Sequence, residues 1–471
     1  MDSPAPGRDP SYLAPGIRGG PNLSSQSLAP KPIRARGSVA ARRVQEVIPT
    51  RKQEFPIAYL NSWRIHRQWL DRPFAGRSLL DVIRATGWVY SPGCSTPYLS
   101  LWARTGRFRP ASLDRLVFRD RKLIQLETLR GCTMLVPREQ AAVALRIRSR
   151  AFTELAKQAR SLMPVTDGEM ERLKRAVTEV LESGPGSHAD ILKAVPAELV
   201  RPFPPSLRRL GLTGSLRLAI NLLKEEGRIV KLQSAKRLDT TEYSFALVSG
   251  VLPEVDLFEF KTERANAELA QHYFAVEGPA RIRDFAWWAG INVTEAMRAA
   301  EEVRPRLVPV PVAGSRDKFL IGETLVDEFR DFRPSGEPSV NLIPYRDTYL
   351  KGQREIVGRF VRQEHFDRPF ARWKGKLIND PLATVVSDGQ VVGIWEWSGK
   401  GRLEFLLFDE VPGPVLARIE ERAAELERFI GAHLGAFRLQ GLDYGKNQMT
   451  AIHQLRDYWG HGAQADVREP L

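Results

Sequence analysis

The stretch ATGWVYSPGCSTPYLSLWAR, residues 85–104, sets Tyr90, Ser91, Pro92, Gly93 and Cys94 side by side between two apolar runs. The Tyr and Ser hydroxyls can orient a water molecule, each offering one donor and two acceptor lone pairs, but neither is charged near neutral pH. Pro92 contributes only its carbonyl. Cys94 carries a nucleophile's atom, yet no His or basic residue stands close in sequence to draw off its proton. A small buried residue is its expected role. Cys94 and Cys132 give neither zinc-ligand spacing nor a disulfide framework, and the seven histidines are scattered, so no metal or other cofactor is expected. His66, His188 and His272 each stand alone on helical segments, where an exposed or satisfied imidazole is the ordinary role.

The loop is held by what flanks it. Leu79, Leu80, Val82 and Ile83 mark an amphipathic helix that runs into Gly87, and Tyr98, Leu99, Leu101 and Trp102 mark the next. Then come SLDRLVFRD and the strands KLIQLET and CTMLV, within a stretch bracketed by Arg104, Arg107, Arg109, Arg119, Arg121 and Lys122. The order helices, then a hairpin, returns with clearer punctuation further on. Thr166-x-x-Glu169 is a capping box, Ser187 caps a short second helix, and a third after Gly214 places Leu216, Ala219, Ile220 and Leu223 on one stripe. That helix carries Arg217, Asn221 and Lys224 on its other face. Strands at 228–232 and 242–248 follow, joined by a turn with Lys236 and Arg237. Residues 264–322 repeat the order a third time, but with Glu295, Arg298, Glu301 and Glu302 on the third helix. Trp287 and Trp288 lie in that unit's second helix, where core packing is expected.

From residue 338 the pattern turns to strands. Asp388-Gly389 favours a type I′ hairpin, SGKGR with Lys400 and Arg402 makes a second turn, and an amphipathic helix with Val415, Ile419, Leu426 and Ile430 closes the segment. The expected fold is therefore multidomain α+β: tandem winged-helix units followed by a small C-terminal β-barrel-like domain. The expected boundaries are a disordered basic Pro/Gly/Ser-rich extension over 1–53, units at 54–160, 161–255 and 256–334, the β-domain at 335–459 and a loose tail at 460–471.

A chain of 471 residues with 43% hydrophobic and 27% charged residues is ordinary globular material in several domains. Its net charge of +14 and pI near 9.9 favour a polyanionic partner, nucleic acid first. No apolar run is long enough to span a bilayer. Phosphate repels the acidic third helix of the third unit, so the expected DNA contacts lie in the first two units and the later turns: Arg104, Arg107, Arg109, Arg121, Lys122, Arg217, Asn221, Lys224, Lys236, Arg237, Lys400 and Arg402.

Five blocks in register carry a resemblance: YLSLWARTGRF, LDRLVFRDRKLIQLETLRGCTMLV, GPARIRDFAWWAG, LIPYRDTYLKGQR and VSDGQVVGIWEW. Over roughly residues 57–435 the chain resembles the winged-helix DNA glycosylases that repair alkylated bases and interstrand crosslinks, of the YcaQ type. That resemblance implies three winged helices and a C-terminal β-barrel around a DNA channel. The family's Gln-x-Gln or Gln-x-Asp motif falls on Tyr90, Ser91 and Pro92, and a family His falls on Met134, so its polar groups are missing here. Asp347, in YRDTYL, has a family counterpart; it is either catalytic or a helix cap or ion-pair partner of Arg346 or Arg354. The candidate catalytic residues are Tyr90, Ser91 and Asp347, each with a packing or capping role as the alternative. Double-stranded DNA is the expected partner of a cytoplasmic, nucleoid-associated monomer. The activity is either excision of N-alkylated bases or recognition alone, with a non-catalytic DNA-binding regulator or damage-recognition scaffold as the competing class.

Overall fold

The computed structural model describes residues 54–434, except 73, 75–77, 149–150, 235, 241, 258–259, 356, 374–375 and 398–400, together with 448 and 449. The N-terminal extension, the tail beyond 459 and Lys400 lie outside the described residues.

Helix α1 (Ile57–Arg67) precedes α2 (Leu79–Thr86), which a capping box between Ser78 and Asp81 opens. Strand β1 (Val89–Tyr90), α3 (Thr96–Arg104), α4 (Pro110–Asp114), β2 (Leu123–Glu127), β3 (Thr133–Pro137) and α5 (Ala141–Arg146) follow. A wider turn, Arg115–Arg119, extends α4. The sheet is antiparallel in the order β1-β3-β2, with Tyr90 and Leu126 both opposite Met134. Both of its faces are buried. Val89, Leu123 and Leu135 join one core with α3, while Trp88, Ile124, Leu126 and Val136 join a second. A sheet covered on both faces reads as near-continuous apolar sequence, as LIQLE and TMLV do.

Next come α6 (Ala151–Gln158), α7 (Asp167–Glu182), α8 (His188–Ala194), α9 (Pro205–Arg208), α10 (Ser215–Glu226), the hairpin β4 (Ile229–Gln233) and β5 (Tyr243–Leu247), and α11 (Val248–Val251). The capping boxes at Thr166 and Ser187 form as expected. The stripe of Leu216, Ala219, Ile220 and Leu223 is sealed against α7, each large side chain contributing about 1.5–3 kcal/mol. The opposite side of α10 is also covered. Asn221 is 7% exposed and Lys224 pairs with Glu127 of β2 at 2.7 Å, so the expected free basic face of this helix is a packing face.

Then α12 (Thr262–Glu277), β6 (Ala280–Arg281), α13 (Ile282–Ala289), α14 (Val293–Glu301), β7 (Leu307–Val310), β8 (Phe319–Gly322) and α15 (Val326–Asp331) build a three-stranded sheet, order β6-β8-β7, against helices. Phe55, Leu60 and Trp63 pack with Phe319, Ile321 and Phe329, which ties α1 to this segment.

The last segment holds β9 (Val340–Ile343), α16 (Thr348–Lys351), β10 (Phe370–Trp373), β11 (Lys376–Pro381), β12 (Thr384–Ser387), β13 (Gln390–Trp397), β14 (Leu403–Leu407), α17 (Gly413–His433) and β15 (Gln448–Met449). Asp388 and Gly389 both take positive φ, 46° and 83°, the type I′ geometry their sequence favours. Among the described residues the expected barrel does not form. The strands make two open sheets, β14-β13-β12-β9 and β11-β10-β15. Ile419, Leu426 and Ile430 of α17, together with Leu99 and Trp102 of α3, share a core with Leu342, Val385 and Ile394. Helices cover the apolar face that strand closure would otherwise have to bury.

Candidate functional site

Strand alternation separates the two hydroxyls of the 90–94 loop. Ser91 is fully buried: its N–H donates to Thr133 O at 2.8 Å, and its O and Oγ accept from Gln125 Nε2 at 2.6 and 3.0 Å. Its hydroxyl is thus taken up inside the sheet by Gln125. Gln125 is a site-positioning residue the sequence reading passed over. Its signal was a lone amide inside LIQLE, since a buried polar group needs a partner. Cys94 is buried with its Sγ 3.2 Å from Thr96 Oγ1.

Tyr90 leaves the sheet on the other side, directly across from Met134. Its hydroxyl accepts a 2.5 Å hydrogen bond from Arg346 Nη1. The Arg346 guanidinium lies 5.0 Å from the Tyr90 ring and 5.1 Å from the Tyr345 ring, and the two rings meet edge-on at 6.3 Å. Arg346 itself sits at φ 56°, a left-handed conformation uncommon for a long side chain.

Asp347, next in sequence, points the opposite way. Arg104 donates to both its oxygens at 2.7 and 2.8 Å, and the carboxylate accepts from Tyr349 N at 2.8 Å to cap α16. Burial pushes this carboxyl up, but the Arg104 guanidinium outweighs burial and holds it below the usual carboxylate range. The cap reading is right; the partner is Arg104, not Arg346 or Arg354. Arg104 is 1% exposed and also donates to Ser100 O and Gln68 Oε1, so the structure places this DNA-contact candidate in the interior. Gln68 leads on to a buried set in which Glu277 pairs with Arg64 and accepts from Gln353, and Gln353 accepts from Arg359.

The other basic candidates divide by exposure. Arg107, Arg109, Arg121 and Lys122 are exposed around α4 and its following turn, and Lys236 is exposed on the β4–β5 connection. Arg237 is held by Asp239 at 2.7 and 2.9 Å and lies over the Tyr98 ring. Tyr98 also docks that connection onto α3, because its hydroxyl accepts from Leu238 N at 2.9 Å and donates to Asp114. Burial pushes the Asp114 carboxyl up to about 6. Arg402 is exposed at 4.0 Å from Glu427, and Arg217 is half-buried. Trp288 is in the core as expected. Trp287 is half-exposed and packs against the same core, with the Arg130 guanidinium 3.9 Å from its ring centre and Lys351 Nζ at 5.5 Å.

No described helix is long and apolar enough to cross a membrane. No curated protein matches the chain. Among solved structures it is similar to the Streptomyces sahachiroi DNA glycosylase AlkZ, with a TM-score of 0.62 and 20% identity, covering 80% of this chain and 98% of that one. That likeness speaks for the fold. The family model described as DNA glycosylase AlkZ-like matches residues 83–429, nearly the whole described chain, and on that match the chain belongs to the AlkZ-like DNA glycosylase family.

Proposed function

We propose that this protein binds duplex DNA and recognises N-alkylated bases without excising them, acting as a monomer at the nucleoid. In this reading residues 54–160, 161–255 and 256–334 are winged-helix units and 335–459 a C-terminal domain. The recurrent order of helices and small antiparallel sheets supports it. DNA contact falls to the exposed Arg107, Arg109, Arg121, Lys122, Lys236 and Arg402, with Arg217 at their margin.

The Tyr90–Arg346 hydrogen bond is the observation that carries the non-excising reading. Loss of an N-alkylated base starts from a cationic leaving group, so the site needs little general acid. It must hold a water and face an oxocarbenium-like sugar with acceptors or negative charge. Tyr90 already accepts from a guanidinium, and its remaining O–H is a donor. A guanidinium beside the site disfavours a developing cation there by like-charge repulsion. The test is incubation with N7-alkylated duplex followed by scoring for abasic sites. The expected result is binding with no abasic product, and Tyr90→Gln with Pro92→Gln raising excision above background. Excision by the unaltered protein that Tyr90→Phe abolishes overturns the reading.

A further inference from the structure

The tip of the β4–β5 hairpin is anchored in a core that belongs to other segments. Its strands pack on α7 and α10 through Ile229 and Phe245, but Leu238 is fully buried in the core that holds Tyr98, Phe108 and Leu113. Tyr98 of α3 receives the tip: its hydroxyl accepts from Leu238 N at 2.9 Å and donates to Asp114 at the end of α4. The Tyr98 ring lies 5.3 Å from the Arg237 guanidinium and 6.5 Å from the Phe108 ring. Within the tip, Asp239 is 2% exposed and takes Arg237, while Gln233 Nε2 donates to Thr240 O at 3.0 Å.

A free hairpin tip presents its cations from a moving loop, and an anion that binds there must first order it. This tip is ordered before any anion arrives. Lys236, two residues before Leu238, is exposed and takes φ 55°, a left-handed conformation that a lysine keeps only where its surroundings fix it. On the other side of Tyr98, Arg107 and Arg109 flank Phe108 in sequence, and both are exposed. Among the described residues no carboxylate pairs with any of these three cations, whereas Arg237 is neutralised by Asp239. The Tyr98 hydroxyl thus joins two cation-bearing segments whose contact spans 140 residues of sequence.

We propose that Tyr98 is a positioning residue for DNA: by pinning the hairpin tip to α3 it sets Lys236 beside Arg107 and Arg109, so that two segments present one preformed row of cations to the backbone phosphates of a single duplex. The inference rests on the DNA-binding reading above and adds to it how that surface is assembled. Tyr98 itself meets no phosphate, because it is fully buried and its hydroxyl is committed to one donor and one acceptor. The affinity it confers comes from ordering completed when the chain folds rather than when DNA arrives.

The test is fluorescence anisotropy of a labelled duplex over a salt series, arranged as a double-mutant cycle. Lys236→Gln is expected to weaken binding roughly fivefold at about 0.1 M salt and to lower the slope of log Kd against log salt by about one. Tyr98→Phe keeps the ring in the core but gives up both hydrogen bonds of the hydroxyl, and is expected to weaken binding about threefold. With the tip already loose, Lys236→Gln then costs less than about twofold. Amide hydrogen exchange over 233–243 quickens in Tyr98→Phe. Leu238→Ala loosens the tip from its other side, reproduces the same pattern, and stands in where Tyr98→Phe fails to fold. Arg298→Gln, on the acidic α14, changes binding in no background. If Lys236→Gln costs as much in the loosened variants as in wild type, or the loosened variants bind as wild type does, the positioning role is overturned while DNA binding stands. If wild type binds no duplex even at low salt, the DNA reading falls and this role with it.

Discussion

Tyr90 and Ser91 are neighbours in sequence and never share a surface, because successive side chains of an extended strand point to opposite faces. The same one-residue logic divides Arg346 from Asp347. Removing one partner of the buried Arg104–Asp347 pair leaves the other charged and dry. We expect Arg104→Ala to lower stability by about 3–5 kcal/mol, measured by denaturant unfolding. A loss below about 1 kcal/mol would show that the pair is solvated. His272 supplies a pH test. It stacks at 6.0 Å on Trp88, its Nε2 is shut from solvent without a hydrogen-bond partner, and burial pushes its imidazolium down to about 4 from about 6.5. A depressed pKa favours the neutral ring, so the stability it confers is full above pH ~6.5 and is lost as pH falls towards 4. The stability gap between wild type and His272→Gln should therefore narrow between pH 7 and 4.5; a gap that stays constant contradicts this assignment.

At the scale of elements, α10 shows how a helix with a basic stripe becomes interior structure. Lys224 meets Glu127 of β2, and although burial pushes Glu127 up, Lys224 first, then Lys231 and Arg148, bring it below its usual range. Reversal at Lys224 should act on folding before it acts on DNA. Lys224→Glu places two carboxylates between α10 and β2, and we expect a loss of about 2–3 kcal/mol. The exchange Lys224→Glu with Glu127→Lys should recover most of it in a double-mutant cycle. Failure of the exchange to recover stability, with DNA affinity falling in proportion to charge alone, would return α10 to the DNA surface. The C-terminal segment makes the same point with a sheet: α17 and α3 bury its apolar face, so β9 and β14 have no need to meet.

For the whole molecule the excess of positive charge is the leading fact. The net charge is +14, and Arg107, Arg109, Arg121 and Lys122 lie exposed along one stretch of chain. Displacing condensed counterions from four phosphates weakens binding roughly a hundredfold between 50 and 200 mM salt. We expect duplex affinity to fall by at least that factor, and charge reversal at Arg107 and Arg109 to flatten the dependence. Affinity that holds steady across this range points to a protein partner for the same surface.

What the sequence determined by itself was local. The capping boxes at Thr166 and Ser187, the Asp388-Gly389 turn and the buried stripe of α10 each depend on residues within a few positions, where backbone geometry and side-chain hydrogen bonding decide the outcome. The crowding of basic residues was also plain. Only the tertiary structure decided which way each charge points. Arg104 finds Asp347 across 243 residues and Tyr90 finds Arg346 across 256, while Lys224 finds Glu127 across 97. A cation on an amphipathic helix reads the same whether it meets water, phosphate or a carboxylate from another segment. The choice is made by desolvation and pairing when the segments pack, and no local pattern records it.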